Sequence, residues 1–429
     1  MAVARNTAWV LGAQLVASPL QLVVAIILAR WLGAGTYGQL QACLTLLWTG
    51  ALALPLGHVS ALIFQVRQKV HSPAEAAGQG LFLVGCTAML AVLVAWPTSP
   101  WLRSELLLGA PSTALLMLSA ALPFLLTMQI WGAVARATDR FDLWAAAIAL
   151  QPAVVLVGIG ALVLRDVRTL SPALALYVAA LASAAAVLGI SLARQHGLAL
   201  RMRWTVFRQA MRFGLAGHAS VLLAALHERA DVFLLAALLQ DPAVVGVYAV
   251  AVQIANRVRV LPLALGSALY PALSDHDASH REALAAAAAR LCILGVVVVA
   301  ALIALTAKPL LPLLFGSEFT ASLLPLALLL PATVAHGLRG VLFRYFQAID
   351  HQRVNVMLEA LGVLCNTALN LWAIPRWGAA GAAGASLISY TMVAGGLAWV
   401  FLRRSELHPR SLVPGPADAR RLVERLWAQ

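Results

Sequence analysis

Apolar runs about as long as a bilayer is thick recur along this chain, and each must either cross lipid or be hidden from water. Twelve are found, at residues 8–28, 38–64, 80–96, 112–135, 143–164, 172–192, 213–239, 244–269, 291–307, 321–338, 354–374 and 378–402. About 20 mostly apolar residues in a helix span a hydrocarbon core of about 30 Å, and a helix satisfies its backbone N–H and C=O groups within its own segment. The pattern predicts an all-α polytopic membrane protein with about 12 transmembrane helices. The first run is longer than the ~7–15-residue apolar core of a cleavable signal and is read as the first span. Composition agrees: 62% of the 429 residues are hydrophobic and 11% charged, against roughly 45–50% and 25% in soluble domains.

Charge orients the spans. Of the 30 basic residues only Lys69 and Lys308 are lysines. Counting alternate connections, Arg30, Arg103, Arg165, Arg168, Lys308 and Arg376 fall on one side. Arg229, Arg257 and Arg259 fall within spans, and the other 21 lie on the opposite side together with both termini. Cytoplasmic connections carry the Lys and Arg excess, so both termini are expected in the cytoplasm and the protein in the cytoplasmic (inner) membrane. The formal net charge of +13 is thereby accounted for without a nucleic-acid partner. Cys43, Cys86, Cys292 and Cys365 lie in apolar stretches without a CxxC pair, so neither a disulfide framework nor a zinc site is expected. The short cluster Asp275, His276, Asp277 and His280 places two histidines at i, i+4 but lacks further ligands, and no metal is assigned to it.

The longest connection, around residues 195–212, divides the spans six and six. It sets basic residues beside Trp204 and Phe207, a pattern suited to an interfacial helix on anionic lipid. The expected organisation is an N-terminal lobe over 1–200, a C-terminal lobe over 201–402 and a basic amphipathic cytoplasmic tail over 403–429. The halves are weak copies. LARWLGAGTYGQLQACL links the first two spans and LAALLQDPAVVGVYAVAVQ the seventh and eighth, each with a polar turn followed by a Gly and Tyr pair. Repeats of six spans enter the membrane from the same side and are related by an axis along its normal, a geometry that permits alternating access.

Longer stretches carry a family resemblance. They are NTAWVLGAQL with LARWLGAGTYG; ERADVFLLAALLQDPAVVGVYAVAVQIANRVRVLPLALGSALYPALS; LLPLLFG with Glu318 and Phe319; and AIDHQRVN followed by NTALNLWAIPRWGAAGAAGASLISY. In this order and spacing they resemble the polysaccharide-transporter, or O-antigen-type flippase, family of the multidrug/oligosaccharidyl-lipid/polysaccharide exporter superfamily. The resemblance implies two six-helix lobes around a central cavity. It also implies transport of a polyprenyl diphosphate-linked oligosaccharide, a lipopolysaccharide or other polysaccharide precursor, with no cofactor. A polysaccharide polymerase or chain-length protein is the partner class it brings with it, beside membrane lipid.

Polar side chains at bilayer depth are costly and mark function by default. Asn355, Glu359, Asn366 and Asn370 are spaced 4, 7 and 4 apart and share one helical face. Two readings stay open: a wet cavity, with Glu359 as the titrating or sugar-contacting group, or hydrogen-bonded packing between helices. His218, His227, Glu228, Arg229 and Asp231 form either a network that locks the seventh span or a proton-responsive cluster. Gln253, Asn256 and Arg257 share a face, on which Arg257 suits a diphosphate or snorkels at a helix end, while Arg259 points elsewhere. Thr7, Gln14, Ser18 and Gln21 share a face of the first span. Gly378, Gly381 and Gly384 read as close packing by small residues.

Two other functions compete. A multidrug or ion-coupled antiporter of the same superfamily would be expected to place an acid within an early span. Glu75, Glu105, Asp139, Asp142 and Asp166 instead lie at or beyond span edges. A membrane glycan polymerase or ligase would need convergent catalytic groups on large outward connections, and the longest outward one is only about 97–111.

Overall fold

The computed structural model describes residues 2–199, 203–259, 262, 273, 278–405, 407–415 and 418. Among them the regular elements are all helical. The principal helices are α1 (Ala2–Ala53), α2 (His58–Arg67), α3 (Pro73–Ala95), α4 (Ser112–Ala137), α5 (Phe141–Leu164), α6 (Leu170–His196), α7 (Trp204–Leu239), α8 (Pro242–Val258), α9 (Ala278–Phe315), α10 (Leu323–Ala348) and α11 (Gln352–Ser405). Eight of the helices are long and apolar enough to cross a membrane. Large apolar side chains such as Val157, Leu164 and Leu305 are more than three-quarters exposed, which lipid as solvent allows and water would penalise.

α1 and α11 each combine two expected spans. Gly33 (φ 73°, ψ 168°) interrupts α1 and Gly378 (φ 54°, ψ −130°) interrupts α11. Side chains with a Cβ rarely adopt such backbone conformations. Glycine therefore lets each continuous run change direction between its first and second crossing. The second expected span is itself broken. α1 stops at Ala53, Leu56 and Gly57 take positive φ, and α2 resumes at His58. An interrupted helix at bilayer depth exposes carbonyls that need partners. His218 supplies one, with Nε2 3.1 Å from the Ala53 carbonyl.

Local chemistry explains where α3 begins. Ser72 accepts from the Glu75 backbone N–H at 3.2 Å, and the Glu75 carboxylate accepts from the Ser72 N–H at 3.1 Å. With Pro73 in the first turn this is a complete capping box.

The basic segment containing Trp204 and Phe207 differs from the separate interfacial helix expected of it. It forms the first turns of α7 itself, with Trp204 stacked on Phe207 and Phe207 against His58. A second difference concerns α10, which continues ten residues beyond the expected end at 338. Arg339 and Arg344 therefore lie in a helix, not in a connection. Of the expected eighth span, α8 accounts for Pro242–Val258, and most of its continuation lies outside the described residues.

The chain forms two compact units. The first comprises 1–225 with 240–246, and the second 226–239 with 247–429, so α7 contributes to both. Within the first unit the two Gly and Tyr repeats meet. A Cβ on Gly38 would collide with the Pro242 carbonyl, and one on Gly246 with the Ala34 carbonyl. Within the second unit Arg290 of α9 pairs with Asp418 at 3.1 Å and donates to the Ser411 carbonyl at 2.6 Å, tying the tail to the helix. The amphipathic stretch 417–427 otherwise lies outside the described residues.

Candidate functional site

In the second unit, polar side chains from α7, α8, α10 and α11 join into one chain of hydrogen bonds and ion pairs. Glu228 of α7 accepts from Arg259, which follows α8, at 2.7 Å. His336 and Arg339 of α10 lie 3.8 and 3.7 Å from the same Glu228 oxygen. Arg339 also donates to Glu359 of α11 and contacts His336 at 3.1 Å. Glu359 continues the chain to His227 Nδ1 at 3.3 Å, and His227 Nε2 reaches Ser389 Oγ at 3.0 Å. From Ser389 the path runs to Asn366 at 3.2 Å and from Asn366 to Asn370 at 2.9 Å.

These groups are deeply buried: Glu359 is 1% exposed, His227 and Asn366 0%, Arg339 6%. Charges at such depth persist only when paired and hydrogen-bonded. The helical period brings them together. His336 and Arg339 are three residues apart on α10, and Glu359, Asn366 and Asn370 lie on one face of the first segment of α11. Ser386 and Ser389 present a matching face on the second segment, where Ser389 donates to the Ser386 carbonyl at 3.2 Å.

His227 of α7 bridges both segments of α11, with Nδ1 3.3 Å from the Glu359 carboxylate and Nε2 3.0 Å from Ser389 Oγ, which also accepts from Asn366 Nδ2–H. The His227–Glu359 contact is thus a buried hydrogen-bonded pair held between two helices. A short branch adjoins it. Asp231 accepts from the Tyr248 hydroxyl and from the Val232 N–H at 2.8 Å, with Ser386 Oγ 3.4 Å away. Tyr390 packs its ring edge on His227 and His336 and donates to the His227 carbonyl at 3.3 Å.

Not every residue expected from sequence joins this network. Glu228, Glu359, Asn366, Asn370, His227 and Asp231 do. Asn355 is buried on the same helix as Glu359 and donates to the Phe343 carbonyl at 3.1 Å. Arg229 is half-buried outside the chain of bonds, and His218 belongs to the first unit, on the Ala53 carbonyl. Gln14 and Gln21 are exposed and Ser18 half-buried on α1. On α8 Gln253 and Arg257 are half-buried, and Asn256 is exposed and accepts from Arg259 at 3.1 Å. Arg259, expected to point away from the others, joins the ion chain, because its guanidinium reaches both Asn256 and Glu228. Sequence reasoning missed His336, Arg339 and Ser389. The i, i+3 pair of His336 and Arg339 was the available signal, obscured by ending the span at 338. Asp275, His276 and Asp277 lie outside the described residues, and His280 is exposed.

In the first unit each acid singled out from sequence already has a helix-end role. Glu75 caps α3, Asp139 pairs with Arg67 at 3.0 Å, Asp142 with Arg140 at 2.7 Å and Asp166 with Arg168 at 3.0 Å. Glu105 accepts from Gln240 at 2.8 Å.

Residues 3–277 match the sequence profile of a family described as "Polysaccharide biosynthesis protein". No curated protein matches the sequence. Among solved structures the fold is similar to a lipid II flippase, MurJ, in an inward closed conformation, at TM-score 0.77 and 11% identity over 93% of this chain and 90% of that one. It is also similar to an inward-facing multidrug resistance MATE family transporter of the MOP superfamily, at TM-score 0.72 and 14% identity over 90% and 95%. A Vibrio cholerae MATE transporter, VcmN, in its bent form gives TM-score 0.59 and 15% identity over 96% and 99%.

Proposed function

The chain belongs to the polysaccharide biosynthesis protein family, and from that membership we propose that it carries a lipid-linked oligosaccharide across the cytoplasmic membrane by alternating access. The observation that carries this reading is the family match over residues 3–277, joined to a fold similar to that of a lipid II flippase. The cargo is a polyprenyl diphosphate-linked oligosaccharide, and a polymerase or chain-length protein takes it up on the far side. No bond is made or broken in such a step. The polar headgroup needs a wet, cationic path while its tail stays in lipid.

Residues suited to that path are Gln14, Ser18 and Gln21 on α1 and Gln253, Asn256 and Arg257 on α8. The planar guanidinium of Arg257 matches a diphosphate. The buried His227–Glu359 contact is the candidate coupling element, because it joins α7 to α11 and a change of charge there would alter the attraction between the two helices, which is how an ion gradient would bias two conformations. The arginine distribution supports a topology with both termini in the cytoplasm.

Multidrug antiport is the second reading, favoured by the likeness to MATE transporters. Against it, the acids of the first six spans lie at helix ends, already engaged with partners. Deletion of the gene separates the two. Flippase loss accumulates the lipid-linked sugar in the cytoplasmic leaflet, and wild-type protein, but not Arg257→Ala at equal abundance, clears it. Normal surface polysaccharide with heightened drug sensitivity would replace the flippase reading with the antiporter.

A further inference from the structure

The second unit contains an apolar groove of about 390 Å³ that lies apart from the ion network. Leu324 and Leu328 of α10 form one wall, and Trp372, Trp377, Gly384 and Ile388 of α11 line the rest. Its floor is open: a Cβ added at Gly384 meets no atom within 4 Å. From Ala379, just past the interruption at Gly378, to Ile388 the helix rises about 14 Å at 1.5 Å per residue. That is close to half of a hydrocarbon core of about 30 Å, the depth of a single leaflet.

One end of the groove differs chemically from the rest. Trp372 and Trp377 meet edge to face with centroids 4.9 Å apart. Arg376 lies over the Trp372 ring at 5.1 Å and donates to the Trp372 carbonyl at 2.6 Å. Its guanidinium is exposed and pairs with no carboxylate among the described residues. Tryptophan and arginine collect where lipid headgroups meet the hydrocarbon core. An anionic group therefore fits at this end, and a straight hydrocarbon chain along the rest. A void left dry would forfeit dispersion contacts along its whole length.

We propose that this groove binds one acyl chain of a phospholipid from the leaflet at the Arg376 end, with the lipid phosphate on the Arg376 guanidinium. A phospholipid matches better than the polyprenyl carrier, because the groove ends at one leaflet's depth and its charged end offers one guanidinium, suited to a single phosphate. The site stands independently of which cargo the protein moves.

The test uses the full-length protein in detergent, titrated with phosphatidylglycerol, diacylglycerol or polyprenyl phosphate and read by native mass spectrometry and thermal unfolding. Wild type binds phosphatidylglycerol. Gly384→Leu, which fills open space, and Arg376→Gln, which removes the phosphate partner, each weaken that binding about tenfold. Diacylglycerol binding is weaker, is lost in Gly384→Leu and is unchanged in Arg376→Gln. If Gly384→Leu does not fold, the headgroup comparison in Arg376→Gln, a surface change, decides alone. Equal phosphatidylglycerol binding by wild type and both variants overturns the proposal. So does a wild type that binds polyprenyl phosphate but not phosphatidylglycerol.

Discussion

Removing the Glu359 carboxylate leaves the Arg339 guanidinium with the Glu228 oxygen 3.7 Å away and takes the carboxylate from His227 Nδ1. An uncompensated buried charge of this kind costs about 3–5 kcal/mol. Glu359→Gln is therefore expected to lower the unfolding temperature sharply in detergent, whereas Arg339→Met with Glu359→Leu recovers most of the loss. A Glu359→Gln protein as stable as wild type would mean that the pair does not hold the helices. His227 supports a second expectation. If its proton couples transport to the gradient, His227→Gln flattens the pH dependence of sugar-lipid translocation while retaining a donor toward Ser389. An unchanged pH profile would remove His227 from the coupling step. At this scale the sequence showed part of the site. The spacing of Glu359, Asn366 and Asn370 placed them on one face, and His227, Glu228 and Asp231 were singled out as one cluster on the seventh span. It could not show that Arg339, Arg259 and Ser389 complete the arrangement. Long side chains bridge helices whose mutual rotation no local spacing encodes.

Helices here are longer than the bilayer is thick, so apolar runs locate them well and their ends poorly. α10 continues to Ala348 and α9 from Ala278 to Phe315 because backbone hydrogen bonding persists after the apolar run has ended. Two glycines do the opposite and interrupt helices where hydropathy alone predicts only a connection. Gly378→Ala is expected to destabilise by about 1–3 kcal/mol through its positive φ, whereas Gly384→Ala, with open space at its Cβ, is expected to be near neutral. Comparing unfolding temperatures of the two variants checks this directly, and equal values would argue that the α11 interruption is not glycine-dependent. Gly38 and Gly246 act through contact. A methyl group on either drives into a facing carbonyl, so either alanine variant should lower abundance in the membrane, measured by immunoblot.

For the molecule as a whole, the charge count predicts sidedness. In a background with Cys43, Cys86, Cys292 and Cys365 replaced, a membrane-impermeant thiol reagent should label Thr98→Cys in intact cells and Arg203→Cys only after permeabilisation. Both positions are exposed, and the charge count assigns their connections to opposite sides. The reverse pattern would invert the topology. Helical class, membrane residence, approximate span positions and family could all be read from the amino-acid order. Each rests on local quantities: apolar length, charge beside each span, and short ordered motifs. The division within α7, the break before His58, the buried contact between His227 and Glu359 and the groove beside Trp372 became visible only in three dimensions. They depend on which face of one helix meets which face of another, and that is set by packing between residues more than a hundred positions apart, as with His227 and Ser389.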